Sequence, residues 1–402
     1  MKIALIDPSM FTWPYDSELA TGLRTLGHEV RLYGRPVGPK EGGAGDPLLV
    51  PHFYRWLGRA ERLPKPVVRV LKGLAHAGGL VRLVADLKAW APDVIHFQWA
   101  PLPMVDRLFL PALKRIAPVV LTVHDSNPFN GNPSSRLQSL GAHAILGDVD
   151  RLIVHTAQAA GRLIRLGIPE ARIACIPHGL LHAGPAPDAS YPANDDGRVV
   201  LLQFGKIKPY KGVDVLIRAV GLLPPEVRRR ALVKVVGKPE MDMAPLKSLV
   251  DELGVADAVE FTLGFIPDEA MMDLFRESAA VVFPYRDIDT SGVLMAAMVA
   301  GRPIVASSIG SFAELLEEGR HGHLVPRDDP NALAFALEAI ITHPERRRAM
   351  ALAVRGLTAA IPSWTDIARR TEALYHSLHH EERPCLDLSS ASSSRTSTTN
   401  AM

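Results

Sequence analysis

Asp289–Ser307 reads DTSGVLMAAMVAGRPIVAS, and the order of these residues decides how the chain is built. Thr290, Ser291 and Gly292 open an unbroken run of small apolar residues with no side for solvent. A helix apolar all round is buried. Gly301-Arg302-Pro303 stops it, and the β-branched segment that follows reads as a buried strand. AAVVFP, at 279–284, has the same character just upstream. Strand, loop, buried helix and strand make the repeating unit of a parallel sheet covered on both faces. The helix start carries amide hydrogens without intrahelical partners and a partial positive charge. Its polar opening admits two readings. Thr290 or Ser291 caps a core helix in the ordinary way, or the bare backbone at Gly292 seats an anion, a phosphate above all.

Outward from this stretch, the same alternation fills the chain. The first half offers the strands KIALID, EVRLYG, DVIHFQ, PVVLTVH, RLIVH and RIACIP; the second offers RVVLLQFG, ALVKVVG, AVEFTLG, AAVVFP and RPIVAS. Between them HAGPAPDASYPANDDGR, rich in Pro, Gly, Asp and Ala, reads as a linker. The expectation is an α/β protein of two Rossmann-like domains, 1–181 and 199–363, joined by residues 182–198. A last helix occupies 364–382, and the Ser/Thr-rich tail 383–402 is too poor in apolar residues to pack. Ligands of open parallel sheets sit beyond the carboxyl ends of the strands, so two facing sheets make a cleft.

Composition excludes several classes. A net charge of +2 over 402 residues is not that of a whole-protein nucleic-acid binder. Cys175 and Cys385 make neither a disulfide framework nor a metal site, which suits a reducing cytoplasm. MKIALIDPSM turns polar too soon for a signal peptide, and no apolar run approaches the roughly 20 residues that span a bilayer. His96, His124, His155 and His178 fall at strand ends without metal-ligand spacing. From Arg55 to Arg82, seven basic residues face a single acid, Glu61, among leucines and valines. That pattern is either a helix lying on anionic lipid or a solvated face over a core.

The first strand of the second half runs into FGKIKPYKG, at 204–212, which sets Lys206, Lys208 and Lys211 around a Pro-Tyr turn before the helix VDVLIRAV. Lysine is a compact point charge suited to phosphate, although solvated loop lysines are common. A basic loop and a helix start, both placed after strands, together point to a diphosphate. GxxxxGK[ST] is absent, so this is no P-loop. KIALIDPSM lacks GxGxxG, the fingerprint of a nicotinamide-dependent dehydrogenase.

In order and spacing, GKIKPYKGVDVLI, VKVVGKPE, VEFTLGFIPDEAMMDLFRESAAVVFPY, SGVLMAAMVAGRPIVAS and PSWTDIARRTEALY, with IHFQW, TVHD and IPHG before them, resemble one family. It is the GT-B glycosyltransferases, in particular glycosyltransferase family 4, whose members are retaining and use nucleotide sugars. The resemblance covers nearly the whole chain. It implies a GT-B fold whose last helix, around Trp364–Tyr375, crosses back to the first domain. It implies that Gly205, Lys206 and Lys211 hold the donor diphosphate, and that Thr290, Ser291, Gly292 and Val293 receive its phosphates. Phe265 and Ile266 then meet the nucleobase, while His124 and Asp125 reach the transferred sugar as catalytic residues. The family's paired glutamates fall here on Ile288 and Ala296. Asp289, beside the helix start, is the expected substitute for the first, and nothing replaces the second.

Trp13, Tyr15 and Asp16 stand where the family has a glycine-rich loop, and with Gln98 and Trp99 they are expected on the acceptor side. Pro14 and Asp16 equally suit a helix start, and Trp99 equally suits the core. His178 is expected to support the domain junction. Asp287-Ile288-Asp289 spells the D-x-D string that holds a divalent cation in other glycosyltransferases, but Asp148-Val149-Asp150 spells it too. The lysines already supply positive charge, so no metal and no cofactor is expected. The partners expected are a nucleoside-diphosphate sugar and a glycan or lipid-linked acceptor, with a contact to anionic membrane through Arg55–Arg82. A non-catalytic sugar-nucleotide binder and a GT-B epimerase are the competing readings.

Overall fold

The computed structural model describes residues 1–38, 43–55, 65–127, 141–181 and 197–380. The linker residues 182–196, the tail 383–402, Cys385 and the basic residues Arg59 and Arg62 lie outside the described residues. Among the described residues, thirteen parallel strands form two sheets. The first holds β1 (Lys2–Ile6), β2 (Glu29–Gly34), β3 (Leu49–Pro51), β4 (Val94–Phe97), β5 (Val119–Thr122), β6 (Arg151–Val154) and β7 (Ile173–Cys175), in the order β3-β2-β1-β4-β5-β6-β7. The second holds β8 (Val199–Phe204), β9 (Ala231–Gly237), β10 (Val259–Leu263), β11 (Ala280–Phe283), β12 (Ile304–Ser307) and β13 (Gly322–Val325), in the order β10-β9-β8-β11-β12-β13.

The central strands are apolar because helices cover both faces, and Ile3 to Ile6 and Ala280 to Phe283 are fully buried. Only β3 and β13 escape a reading of the sequence. Both are edge strands of three and four residues, partly exposed, too short to leave an apolar run.

Strand order reverses at two places. In the first sheet β1 pairs with both β2 and β4; in the second, β8 pairs with both β9 and β11. A crevice opens beyond the strands at each such point. The loop with Gly205 follows β8, and the stretch from Asp289 to the helix start at Gly292 follows β11, so both motifs stand at one switch point.

Seven helices place the side chains discussed below: α1 (Trp13–Thr25), α2 (Lys65–Trp90), α3 (Ala157–Arg165), α4 (Val213–Leu222), α5 (Gly292–Val299), α6 (Gly310–Leu315) and α7 (Trp364–His380). The last, α7, packs back on α1 of the first lobe. A Cβ on Gly22 would fall 2.7 Å from the Trp364 carbonyl oxygen, so only glycine permits this approach. Tyr375 is fully buried and shares a 2.6 Å hydrogen bond with His96 Nδ1, whose Nε2 meets Thr122 Oγ1 at 2.7 Å. Burial pushes His96 down to about 3, so it is a satisfied neutral core histidine. Trp364 donates to the Leu180 carbonyl at 2.8 Å and ties the chain between the sheets to the returning helix.

Candidate active site

A cavity of about 560 Å³ opens between the two sheets, lined from both sides. Its size lies within the range of small-molecule sites. On the second-lobe side Lys206, Lys208, Thr290 and Gly292 line it, while Gly205, Lys211, Ser291 and Val293 lie outside the lining. Gly205 has φ of +107°, and a Cβ there would fall 2.8 Å from Lys211 Nζ and 3.5 Å from Val293 Cγ2. The buried lysine and Val293 in the first turn of α5 therefore meet over one bare glycine, 82 positions apart in the chain.

Lys211 ends a single 3-10 turn, Pro209–Lys211, and is almost wholly buried. Its ammonium lies 3.5 Å from the Phe204 carbonyl oxygen and 5.0 Å from the centre of the Tyr285 ring. Among the described residues it has no ion pair. Burial, reinforced by Lys208 and Lys206, pulls it down to about 7. Lys206 and Lys208 reach Glu240 at 3.4 and 3.2 Å, and all three line the cleft. Burial raises Glu240, but the two lysines outweigh it and hold the carboxylate below its ordinary range.

The helix start bears out the capping reading of its polar opening. Ser291 is the cap: its Oγ accepts from the Leu294 amide at 3.3 Å. Gly292 is exposed and lines the cleft, as does Thr290. Thr290 Oγ1 is buried and has no hydrogen-bond partner among the described residues. The amides of Gly292 and Val293 sit ahead of the first inward-turned donor, at the positive end of the helix. From Leu294 to Ala300 every residue is buried, which is why the helix is apolar all round.

Asp289 occupies a different place from the one expected of a sugar contact. Its carboxylate accepts from the Ser126 amide at 2.5 Å and faces Arg162 Nη1 at 3.2 Å, both in the first lobe. Asp287 accepts from Asn127 Nδ2 at 2.8 Å and from Arg162 Nη2 at 2.7 Å. The D-x-D string is thus spent on a clasp between the lobes. Glu314 extends the clasp by accepting from the Ala157 and Gln158 amides at the start of α3, at 3.1 and 2.8 Å. Gln158 Oε1 in turn accepts from the Gly310 amide at 2.8 Å. Arg162→Ala removes the guanidinium that Asp287 and Asp289 share, with Asp289 nearly buried. The expected result is a loss of about 2–3 kcal/mol of stability and a larger radius of gyration by small-angle scattering. An unchanged radius and melting curve would show that the clasp holds nothing.

Ile288 lines the cleft where the family has a carboxylate. Ala296 packs inside the second-lobe core, away from the cleft lining. On the first-lobe side the carboxyl that faces the cavity is Asp125. Burial first, with Asp289 and Asp287 adding, raises it to about 7, against the lowering effect of the Asn127 amide.

The first-lobe wall holds Tyr15, Trp99 and His124, with the Phe11 ring tilted against Trp99, centroids 4.8 Å apart. Lys206 Nζ reaches across to 5.4 Å from the Phe11 ring centre. Trp13, Gln98 and Asp16, expected on the acceptor side, are not in this lining. Trp13 packs on the first-lobe core, and Gln98 is fully buried beside His96. Asp16 is fully buried and accepts from Thr12 Oγ1 at 3.1 and 3.0 Å. Burial first and then the neighbouring Asp7 push it well above its ordinary value, and its bonds to Thr12 shape the loop. Phe265 is exposed and Ile266 packs on the second-lobe core, both outside the cavity lining. Sequence reasoning missed Phe11, Thr12 and Glu240 as cleft residues. VKVVGKPE signals Glu240 only once β9 is known to end beside β8.

Two facing Rossmann-like sheets, a cleft between them and a returning helix define a GT-B protein. The matching family models are the Glycosyl transferase 4-like domain over residues 12–179 and Glycosyl transferases group 1 over residues 198–343. The chain belongs to the GT-B glycosyltransferases of this group 1 and family 4 type. It is similar to the D-inositol 3-phosphate glycosyltransferase of Thermobispora bispora, 29% identical over 392 residues, covering 90% of this chain and 88% of that one. The enzyme of that name from Streptomyces scabiei is 31% identical over 272 residues, 62% of this chain and 59% of its own length. Among solved structures, Anabaena HepE in complex with UDP and glucose superposes with a TM-score of 0.70 at 18% identity, covering 94% of this chain and all of that one. Sucrose-phosphate synthase from Thermosynechococcus elongatus gives 0.70 at 20% identity, covering 94% and 99%. These two structural likenesses establish the fold.

Proposed function

We propose that the protein is a retaining glycosyltransferase that moves a sugar from a nucleoside diphosphate to an acceptor hydroxyl in glycan biosynthesis. The observation that carries this reading is the meeting of Lys211, Gly205 and the start of α5 at one switch point. Negative charge grows on the departing diphosphate in the transition state. Fixed cations and a helix dipole in a secluded cleft stabilise that charge most strongly where water is excluded. Lys206, Lys211, Thr290, Gly292 and Val293 take the phosphates. The leaving phosphate oxygen accepts the proton of the acceptor hydroxyl on the same face, so no protein nucleophile is needed. His124 and Asp125 bind hydroxyls of the transferred sugar, with Asp125 in the role vacated at Ile288. Phe265 and Ile266 approach the base, and Phe11, Tyr15 and Trp99 bound the acceptor side. The lysines supply the charge that a metal supplies elsewhere, and the aspartates of the D-x-D string are already paired.

The test is a thermal-shift screen with UDP, GDP, ADP and dTDP, because a ligand of the native state raises its apparent stability. Transfer assays with the matching sugar nucleotides follow, with the anomer of the product read by NMR. The names of the two relatives make inositol phosphate the first acceptor to try. Stabilisation by a nucleotide without transfer or donor hydrolysis would favour the non-catalytic reading, which Ile288 and the core position of Ala296 motivate.

The membrane reading also gains a specific support. Val67, Val70, Leu74 and Val81 of α2 are exposed, between 44% and 63%, beside the exposed Arg69, Lys72 and Arg82. Among the described residues no helix is long and apolar enough to cross a membrane. Vesicles rich in phosphatidylglycerol are expected to sediment the wild type, and Val70→Asp with Leu74→Asp to abolish it. Equal sedimentation of both proteins would end this reading.

A further inference from the structure

Three histidines follow neighbouring strands along the first-lobe wall: His124 after β5, His155 after β6 and His178 after β7. The Tyr15 ring packs on all three, with centroids 4.8, 5.1 and 5.1 Å away. His155 Nδ1 lies 2.9 Å from the Ile176 carbonyl oxygen. A carbonyl oxygen only accepts, so Nδ1 carries the proton. Burial pushes His155 down to about 3, with His178 adding, so the ring is neutral and Nε2 holds a lone pair. That lone pair lies 3.2 Å from His124 Nδ1, which must then be the donor. His124 is likewise kept neutral, by burial first and then by the histidines around it. Its ring lines the cleft, and its Nε2 has no partner among the described residues.

From this relay we infer that His155 is a positioning residue: it fixes His124 in the Nδ1–H tautomer, so that His124 offers a lone pair to a hydroxyl in the cleft. A donor nitrogen at that point would suit a phosphate oxygen; a lone pair repels one and accepts from a sugar hydroxyl instead. The phosphates are thereby left to the lysine wall opposite. The inference rests on the reading of the cleft as a sugar-transfer site, but the tautomer itself is independent of turnover.

The experiment uses the full chain with 15N-labelled histidine. Long-range 15N–1H spectra of the imidazole rings report which nitrogen of His124 is protonated. The expected result is Nδ1–H in the wild type and in His155→Gln, whose amide can donate to Ile176 and accept from His124. In His155→Phe that preference is lost, and kcat falls on the order of tenfold, the rate equivalent of one hydrogen bond. Donor KM changes little, and His155→Gln recovers turnover relative to His155→Phe. Nε2–H in the wild type, an unchanged tautomer in His155→Phe, or a His155→Gln no better than His155→Phe would each overturn the inference. Should the phenylalanine variant fail to fold, the wild-type and glutamine spectra still decide it. Absence of transfer in every form would count against the functional reading and leave the tautomer result standing.

Discussion

Lys211→Met is expected to lower kcat by about 10²–10³-fold, the cost of removing one fixed donor from a developing anion. Methionine keeps the length of the side chain and removes the charge. The fold should survive, because the wild-type ammonium is buried with no ion pair among the described residues and held down to about 7 from 10.5. Between those values the unfolded chain binds the proton that the folded chain has lost, so wild-type stability rises with pH across that window. Below about pH 7 both states are protonated and the folded state bears the full cost of the buried charge. At pH 6 the variant is therefore expected to melt no lower than the wild type, and its stability to lose the wild type's rise above pH 7. Diphosphate binding reverses the preference at Lys211. At pH 8 calorimetry in buffers of different ionisation enthalpy is expected to register uptake of a proton on nucleotide binding, and affinity to weaken as pH rises further. Unchanged turnover in the variant, with no proton uptake by the wild type, would remove Lys211 from the site.

Gly212→Ala is expected to destabilise the protein by about 3–5 kcal/mol, combining left-handed backbone strain with a backbone collision. Gly212 has φ of +63°, and a Cβ there would fall 1.9 Å from the Pro284 carbonyl oxygen. The contact joins the lysine loop to the loop after β11. Arg286 bolts the same two loops: its amide donates to Tyr210 O at 2.7 Å, and its guanidinium to Asp214 at 2.9 and 2.7 Å. Gly254→Ala is the control, with φ of +60° and nothing within 4 Å of a Cβ. It carries the strain without the collision, about 1–2 kcal/mol. Urea unfolding that finds the two variants alike would show that the loops are not in close register.

The second lobe was more legible than the first because its signals are local. The apolar helix, the glycine before it and the lysines after β8 each announce themselves within a few residues. The role of Asp289 did not, since its partners Ser126 and Arg162 stand 163 and 127 positions earlier and only the meeting of the lobes supplies them. Asp16 shows the same limit. A carboxylate in a loop reads as a contact for ligand, but a threonine four residues earlier and the buried Asp7 claim it. The histidine relay was invisible because parallel strands bring together residues that sequence spacing keeps 31 apart.

The most direct measurement is a crystal structure with whichever of UDP, GDP, ADP and dTDP stabilises the protein most. The account predicts both phosphates over Gly205, within hydrogen-bond reach of Lys211 and of the Gly292 and Val293 amides. A diphosphate bound elsewhere, with Lys211 still facing only the Phe204 carbonyl and the Tyr285 ring, would contradict it.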